Sequence, residues 1–272
     1  MEIHVGTSGW QYDDWRGVFY PAGLPQREWL RFYATEFGTV EVNNSFYRLP
    51  ERATFERWRE ETPSGFVVTV KASRFITHLK RLKDPEEPVA LLWERASGLG
   101  DRLGPVLFQL PPRFPVEVER LRRLLATLPR GMRPAFEFRD SSWYSDDVFR
   151  LLDGAGASLV WPDRPGLRHT LPMTGGWLYV RFHQGTASGP GYRREKLRRW
   201  ASRIATSAAK ESFLYFNNDP TGAAIRDART MTELLSEKMG RGTAEDRPRR
   251  ASDGARVHAR RTAARALGDR RR

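Results

Sequence analysis

Polar side chains stand near the ends of several strongly apolar runs of this sequence. Glu41, Lys71, Glu137, Asp163 and His183 are the members of this group that could move a proton or attack a substrate. A carboxylate or imidazole with a shifted pKa can serve as a general acid or base. A lone lysine in an apolar strand can serve as an electrostatic clamp or a Schiff-base nucleophile. We interpret these five as candidate catalytic residues.

A second group of side chains near the same run ends is suited to binding a substrate. Arginines recognise phosphate or carboxylate groups through paired N–H donors, and aromatic rings offer stacking surfaces for sugars or bases. The candidate substrate-binding residues are Trp10, Tyr12, Asn43, Tyr47, His78, Gln109, Arg139, Trp143, Arg181 and Asn217.

Structural roles compete with these functional ones. A buried charge is costly unless it is paired or hydrogen-bonded. Glu41 with Arg139, or Glu137 with Arg181, could therefore be scaffolding ion pairs. For Lys71 an ion pair with Glu41 on the adjacent strand is the favoured interpretation, and any single aromatic residue could simply pack in the core or a loop.

The sequence gives little support for a metal centre. It contains no cysteine and only five histidines, and it has neither HExxH nor any other paired histidine spacing. We therefore assign no metal ligands, and the sequence requires no cofactor. A carboxylate-held Mg²⁺ or Mn²⁺ stays open, because such a site leaves no sequence signature.

These residues need a scaffold that brings the ends of the apolar runs together. Helical patterns separate most of the runs, which indicates right-handed βαβ units and a parallel sheet. The chain of 272 residues suits a single (β/α)8 barrel of the TIM type, in which all strands end at one mouth. The eight β-rich runs cover residues 2–8, 39–46, 66–72, 105–110, 134–139, 158–163, 177–183 and 212–218.

The sixth unit of this predicted barrel is irregular. Only the segment PDRPGLRHTLPMTGG (162–176) joins the sixth and seventh runs, and its prolines and glycines leave no room for a full helix. We expect an irregular loop there, at the mouth, together with long insertions after the first and third runs.

The end of the chain has a different composition. Residues 237–272 contain twelve Lys and Arg but five Asp and Glu, so they carry about half of the net charge of +13. With few aromatic or β-branched residues, this segment cannot offset its ordering entropy. We predict a barrel over 1–236 and a disordered arginine-rich tail over 237–272. The tail could bind nucleic acid or another polyanion, or be an extension without function.

The same composition bears on the compartment of the protein. The sequence has no uninterrupted apolar run of the length that a membrane span requires. It begins directly with a strand-like run rather than a secretory signal, and it lacks cysteine. We expect a cytoplasmic protein with no membrane partner, and the oligomeric state is left open.

Six ordered motifs occupy residues 6–21, 37–50, 62–78, 104–114, 136–144 and 215–219. Together they resemble the YecE-like family, domain of unknown function 72 (DUF72). The resemblance covers roughly residues 1–236 and implies a TIM-like barrel and a soluble bacterial or archaeal protein, without an established reaction. The family barrel is similar to those of endonuclease-IV-like and sugar-isomerase-like proteins, an analogy of fold alone.

One motif departs from the family pattern. The family usually has an Arg-Leu-His-Gly string at the seventh strand, whereas this chain has Arg181-Phe182-His183-Gln184-Gly185, with an extra residue before the glycine. The insertion shifts the loop that follows, so the role that this loop has in the family does not transfer directly to this chain.

These observations lead to one principal functional hypothesis. We expect an enzyme that acts by acid/base chemistry on an anionic small molecule, such as a phosphorylated sugar or a nucleotide, as a hydrolase, lyase or isomerase. The alternatives are a metal-dependent, endonuclease-IV-like DNA-repair nuclease and a non-catalytic nucleic-acid-binding protein.

Overall fold

The structure is a computed structural model that describes residues 1–164, 171–183, 185–186 and 189–245, with side chains described to Gly240. Its centre is a parallel β-sheet, as the alternating strand and helix patterns predicted. The strands are β1 (Glu2–Ser8), β2 (Thr39–Val42), β3 (Val67–Lys71), β4 (Leu103–Gln109), β5 (Pro134–Glu137), β6 (Ser158–Leu159), β7 (Trp161–Asp163), β8 (Leu178–Phe182) and β9 (Glu211–Phe216).

The sheet curls into a barrel that closes through the sixth predicted run. The strand order is β6-β5-β4-β3-β2-β1-β9-β8-β7. The two ends of this order, β6 and β7, are consecutive parts of one run interrupted only at Val160. The first part pairs with β5 and the second with β8. The predicted TIM-like barrel of eight runs is therefore confirmed, with its sixth strand broken in two.

Helices follow most strands and cover the outside of the barrel. The second run is shorter than predicted, because the chain turns into a helix at Asn44 instead of staying extended to residue 46. The helices are α1 (Trp29–Glu36), α2 (Asn44–Tyr47), α3 (Arg52–Glu61), α4 (Glu86–Ala96), α5 (Val118–Thr127), α6 (Asp146–Gly154), α7 (Arg194–Ala205) and α8 (Ala223–Glu245).

The irregular sixth unit is also observed. Residue 164 and residues 171–177, the described part of the segment between β7 and β8, form no helix. Thr174 ties this segment to the barrel, because its hydroxyl donates to the Ala157 carbonyl and accepts from the Leu159 amide. Residues 165–170 lie outside the described residues.

The last helix runs past the predicted end of the barrel. Helix α8 continues to Glu245, nine residues beyond the boundary that composition indicated at 236. Leu234 and Leu235 are buried against the barrel, and Glu233 and Glu237 form ion pairs with Arg194 of α7. These contacts favour continuation of the helix, while residues 246–272 lie outside the described residues.

No helix in the described parts of the chain combines the length and the apolar character that crossing a lipid bilayer requires.

Alternate residues of each strand face the barrel interior, as the two-residue period of a strand requires. The hydroxyl of Tyr215 marks the middle of this interior, at 2.7 Å from the Thr39 hydroxyl and 2.8 Å from the Thr69 hydroxyl. Moving two residues along these strands toward their carboxyl ends reaches Glu41, Lys71 and Asn217. The fold thus stacks polar groups directly above an apolar and hydroxyl-bearing interior.

Candidate active site at the barrel mouth

An ion cluster lies at the level where the strands end. Arg181 of β8 is fully buried and donates from Nη2 to Glu41 Oε1 at 2.7 Å and from Nη1 to Glu137 Oε2 at 2.6 Å. These contacts span the barrel from β8 to β2 and β5. Tyr179, one inward position below Arg181, donates its hydroxyl to the second oxygen of Glu41. One guanidinium therefore holds two carboxylates across the barrel.

The other oxygen of Glu137, Oε1, faces two further side chains, those of His183 and Arg139. His183 Nε2 lies 3.2 Å from Glu137 Oε1, and Arg139 Nε lies 3.6 Å from the same oxygen. The Glu137–Arg181 pair predicted as scaffolding is present, whereas the partner of Glu41 is Arg181 rather than Arg139.

The cluster keeps both carboxylates ionised. Burial alone raises the pKa of Glu41, but Arg181 and the Tyr179 hydroxyl outweigh it, and the pKa lies below its ordinary value. Burial likewise opposes ionisation of Glu137, but His183, Arg181 and Arg139 together hold its pKa well below the usual range. Neither carboxyl carries a proton near pH 7, so neither is suited to act as a general acid.

A cavity of about 460 Å³ opens above this cluster. Eight of the fifteen predicted site residues line it, and Phe46 and Arg74 join them. None of the residues that line this cavity is a carboxylate. The lining consists of Tyr12, Asn43, Phe46, Tyr47, Lys71, Arg74, His78, Gln109, Arg139 and Asn217.

Lys71 is the least satisfied of the charged groups in this cavity. Its side chain is 8% exposed, and its ammonium lies 4.3 Å from the centre of the Phe46 ring. Burial and the charge of Arg181 lower the pKa of Lys71 to about 8. Within the described part of the chain, Nζ forms no ion pair or hydrogen bond.

The predicted Lys71–Glu41 ion pair is therefore wrong. Glu41 already directs one oxygen at Arg181 and the other at Tyr179. Arg181 donates from one nitrogen to Glu41 and from another to Glu137, and its rigid guanidinium holds these two donors in a fixed arrangement. Lys71 is left to face the cavity.

The amides of the cavity have unused hydrogen-bonding capacity. Asn43 donates to the Ser8 carbonyl and to Asn217 Oδ1, both at 3.2 Å. Its own Oδ1 has no partner among the described residues, and neither has Nε2 of the buried Gln109. Buried polar atoms are ordinarily paired, so these two atoms indicate a ligand or ordered water in the cavity.

A tight turn after β1 forms one wall of the cavity. Gly9 adopts φ +103°, and a Cβ there would meet the Tyr12 hydroxyl at 2.6 Å. This turn folds Tyr12 back so that its hydroxyl donates to the Ser8 carbonyl at 2.5 Å. Burial, together with Asp219, raises the pKa of Tyr12. The phenol is therefore neutral and acts as a donor near pH 7.

His78 occupies the opposite wall. Its Nδ1 lies 2.9 Å from the Thr77 hydroxyl, and its ring packs edge-on to Phe46 with centroids 4.9 Å apart. Burial and the neighbouring cations Lys71 and Arg139 lower the pKa of His78 to about 4. The imidazole is neutral at pH 7 and can accept or donate a hydrogen bond to a ligand.

Of the seven predicted residues that do not line the cavity, four belong to the ion cluster below it, and the other three lie apart from both. Trp10 is buried against Trp58, and Trp143 is buried against Phe138 with its indole N–H donating to the Phe114 carbonyl. Both indoles pack in the core.

Asp163 also lies apart from the cavity, because it falls on the outward-facing positions of its strand. Val160 packs inside the barrel, so Asp163, three residues on, faces outward and lies 2.6 Å from Lys196 of α7. The sequence placed Asp163 with the other run ends, but alternation from Val160 puts it on the other side of the sheet.

Sequence reasoning missed three groups at this site. Phe46 lies shortly after the end of β2 and Arg74 shortly after the end of β3, and both side chains line the cavity. Asp219 lies beside Tyr12, where burial raises its pKa to about 7. A usable signal for Asp219 was its place at the end of the YFNND motif.

The group of described side chains best able to hold a metal lies elsewhere. Glu2, His4 and Glu211 bring one ligand atom each within 4.8 Å of one another, at the end of the barrel where the strands begin. Glu211 is already paired with Arg133 at 2.6 Å. This group lies at the opposite end of the barrel from the cavity.

The fold and the cavity define a class: a single (β/α)8-type barrel with a cationic, amide-lined cavity at the carboxyl ends of its strands. A family model described as a protein of unknown function, DUF72, matches residues 4–252. The chain therefore belongs to the DUF72 family, which confirms the resemblance seen in its motifs.

Relatives and solved structures agree with this membership. The chain is 26% identical to the UPF0759 protein YunF of Bacillus subtilis over 275 residues, which span 86% of this chain and 94% of YunF. It is 30% identical to the UPF0759 protein YecE of Escherichia coli over 144 residues, or 53% of this chain and 50% of YecE.

Crystal structures of the family share the fold. A DUF72 protein from Thermotoga maritima superposes with a TM-score of 0.76 at 30% identity, over 87% of this chain and all of that one. A DUF72 protein from Enterococcus faecalis gives a TM-score of 0.71 at 20% identity, over 86% of this chain and 98% of that one. The barrel is thus common to the family.

Proposed function

We propose that this protein is an enzyme that binds an anionic small molecule, in particular a phosphorylated sugar or related compound, in the cavity at the barrel mouth. The observation that carries the proposal is the cavity lining, in which Lys71, Arg74 and Arg139 face the same space without a carboxylate among them. Cations that share a cavity repel one another, and an anion relieves that repulsion.

The charge balance favours a ligand with more than one negative charge. With Lys71 protonated, the lining and the ion cluster below it contain four cations, Lys71, Arg74, Arg139 and Arg181, against the two carboxylates of Glu41 and Glu137. An excess of two positive charges remains. A phosphate monoester carries roughly −1.5 to −2 charges at pH 7, which matches that excess.

The protein groups divide between positioning and chemistry. Glu41 and Glu137 each pair with Arg181 through one oxygen, so they act as positioning residues that fix the floor of the cavity. Lys71 is the group whose proton can be lost or gained near neutral pH, and His78, Asn43 and Gln109 supply hydrogen bonds to the ligand. Acid/base chemistry is thus assigned to Lys71 rather than to the two glutamates.

A binding experiment tests the anion site. Calorimetric titration with inorganic phosphate and with a panel of sugar phosphates is expected to show binding that Arg74→Gln and Arg139→Gln each weaken about tenfold or more. A hydrogen bond to a charged group contributes about 1.5–3 kcal/mol, and about 1.4 kcal/mol is tenfold. Arg130→Gln is the matched control, since Arg130 is exposed in the α5–β5 loop at the opposite end of the barrel.

Two outcomes would contradict this proposal. Phosphate binding that is equally strong in Arg139→Gln and Arg130→Gln would place the anion elsewhere. A panel of sugar phosphates and nucleotides that bind but give no product by phosphorus NMR, in wild type and variants alike, would remove the enzymatic part and leave a binding protein.

The nucleic-acid alternatives have one observation in their favour. Tyr47 is 73% exposed and Phe75 46% exposed at the rim of the mouth, beside Arg74 and Lys80, and exposed rings among cations suit stacking of bases. Incision of abasic-site DNA with an added divalent metal would support the nuclease. Steep salt dependence of binding without a product would support the non-catalytic protein, and loss of that slope after removal of residues 246–272 would assign it to the tail.

A further inference from the structure

Lys71 has an environment that a purely electrostatic anion clamp does not require. Its ammonium lies over the face of Phe46, and Ala72 next to it in the chain is fully buried. The stem of Lys71 is enclosed, and the amine is directed into the cavity. An arginine would provide a stronger and always charged clamp at this position.

The burial of Lys71 favours its uncharged form. Burial is the largest influence that lowers the pKa of Lys71, the charges of Arg181 and Arg139 act in the same direction, and Glu41 and Glu137 oppose them only in part. Arg181 engages both glutamates directly, and among the described residues neither carboxylate forms an ion pair with the Lys71 ammonium. A desolvated lysine next to another cation is a recognised form of an activated amine nucleophile.

We infer that Lys71 is a nucleophile that forms an imine with a carbonyl compound bearing a phosphate or similar anion, which Arg74 and Arg139 hold in the same cavity. This inference rests on the proposed anion site and names the substrate class for it. The substrate is an aldehyde or ketone phosphate rather than a phosphate ester without a carbonyl group.

The covalent step balances without any further reactant. The lone pair of neutral Nζ forms a bond to the carbonyl carbon as the C=O π bond breaks, and the oxygen takes up one of the two protons of Nζ, while the second Nζ proton leaves with the water in the next step. The resulting carbinolamine loses that oxygen as water while the nitrogen lone pair forms the C=N bond. One water leaves for each imine formed, and neither oxidation nor reduction occurs.

Two uncharged hydrogen-bonding side chains face the cavity in which the substrate carbonyl oxygen reacts. The imidazole of His78, uncharged at pH 7, and the amide of Gln109, whose Nε2 has no described partner, both face the cavity. They can hydrogen-bond the carbonyl oxygen and the departing water. These groups position the reacting oxygen.

Reductive trapping tests the inference on the full-length protein. Glyceraldehyde 3-phosphate is incubated with the protein at about pH 7.5, borohydride reduces any imine to a stable secondary amine, and peptide mass spectrometry counts the product at each lysine. An amine with a pKa near 8 has roughly a hundredfold larger neutral fraction at this pH than an ordinary lysine with a pKa near 10.4. We expect Lys71 to be labelled at least tenfold faster than the exposed Lys210, which lies at the opposite end of the barrel.

Two comparisons separate the parts of the inference. Unphosphorylated glyceraldehyde is expected to label Lys71 at least tenfold more slowly, whereas Lys210 should react similarly with both aldehydes. Inorganic phosphate should protect Lys71 alone. Lys71→Arg should keep phosphate binding by calorimetry and lose the product at position 71.

The outcomes distinguish failure of the imine from failure of the anion site. Equal labelling of Lys71 and Lys210, with phosphate binding intact in wild type and in Lys71→Arg, overturns the imine and leaves the anion site. Fast labelling of Lys71 by both aldehydes without phosphate protection overturns the anionic substrate class. Absence of phosphate binding, together with slow labelling, overturns both.

Discussion

Replacement of Lys71 by methionine is expected to stabilise the protein while it removes the reactive group. Burial and neighbouring cations lower the pKa of Lys71 from an ordinary 10.5 to about 8, and about 1.4 kcal/mol corresponds to one pKa unit. The charged form therefore destabilises the folded state by up to about 3 kcal/mol near pH 7. Methionine keeps a flexible apolar stem against Phe46 without the charge.

The pH dependence of this effect has a definite sign. Because the folded pKa lies below the unfolded one, the unfolded chain binds more protons between about pH 8 and pH 10.5, and the wild type gains stability as the pH rises through that window. The advantage of Lys71→Met should be constant below about pH 8. It should then shrink by about 1.4 kcal/mol per pH unit and vanish near pH 10.5.

Urea denaturation of the two proteins between pH 6.5 and 10 measures this difference while other titrating groups cancel. Lys80→Met is the matched control, since Lys80 also lies over a phenylalanine ring, Phe75 at 5.8 Å, but is 38% exposed and lies 3.6 Å from Asp84. It should change the free energy of unfolding by less than about 0.5 kcal/mol. A Lys71→Met protein that is less stable than wild type at pH 7, with a difference that does not change up to pH 10, would refute the reasoning.

Four further substitutions test the scaffold of the site, each by urea denaturation. Tyr179→Phe removes the hydroxyl donated to Glu41 and should cost about 1.5–3 kcal/mol; no loss would show that Glu41 does not need this donor. Glu137→Gln should flatten the loss of stability that wild type shows as the pH falls below about 4.5, since its folded pKa is lowered; an unchanged acid limb would contradict the ion cluster. Asp219→Asn should stabilise the protein at about pH 8 but not at about pH 4. Burial raises the pKa of Asp219 to about 7, so the wild type loses stability as this carboxyl ionises with rising pH. Equal stabilisation at both pH values would show that ionisation of Asp219 is not its cause. Gly6→Ala places a Cβ 2.2 Å from the Thr39 carbonyl oxygen and should cost about 1–3 kcal/mol, whereas Gly38→Ala, whose Cβ meets nothing within 4 Å, should be tolerated.

The barrel and much of its mouth were predictable because they depend on local patterns. Apolar runs separated by helical periods define the strands, and residues at alternate positions near their ends share a face. This is why Asn43, Lys71, Gln109, Arg139 and Asn217 meet at one cavity.

The errors arise where alternation was not counted residue by residue or where a long-range competition decides. Val160 packs inside the barrel, so Asp163 three residues later faces outward, toward Lys196. The partner of Glu41 depends on whether Lys71 or Arg181 reaches it with better geometry, and no spacing in the sequence encodes that choice. Arg74 reaches the cavity through the turn that follows β3, which leaves no periodic signal.

The mouth has two levels, the ion cluster and the cavity above it, and they differ in whether their charged groups are paired. In the ion cluster, Arg181 holds Glu41 and Glu137 at 2.6–2.7 Å, and this mutual pairing of opposite charges accounts for their burial without a ligand. In the cavity above, Lys71 has no described partner, and it is a group that an apolar residue could replace with a gain in stability. A site that is costly to the folded state and open to solvent is where a functional role is expected. The chemistry of this protein is therefore to be sought at Lys71 and its neighbouring arginines, with the glutamates below serving to keep Arg181 in place.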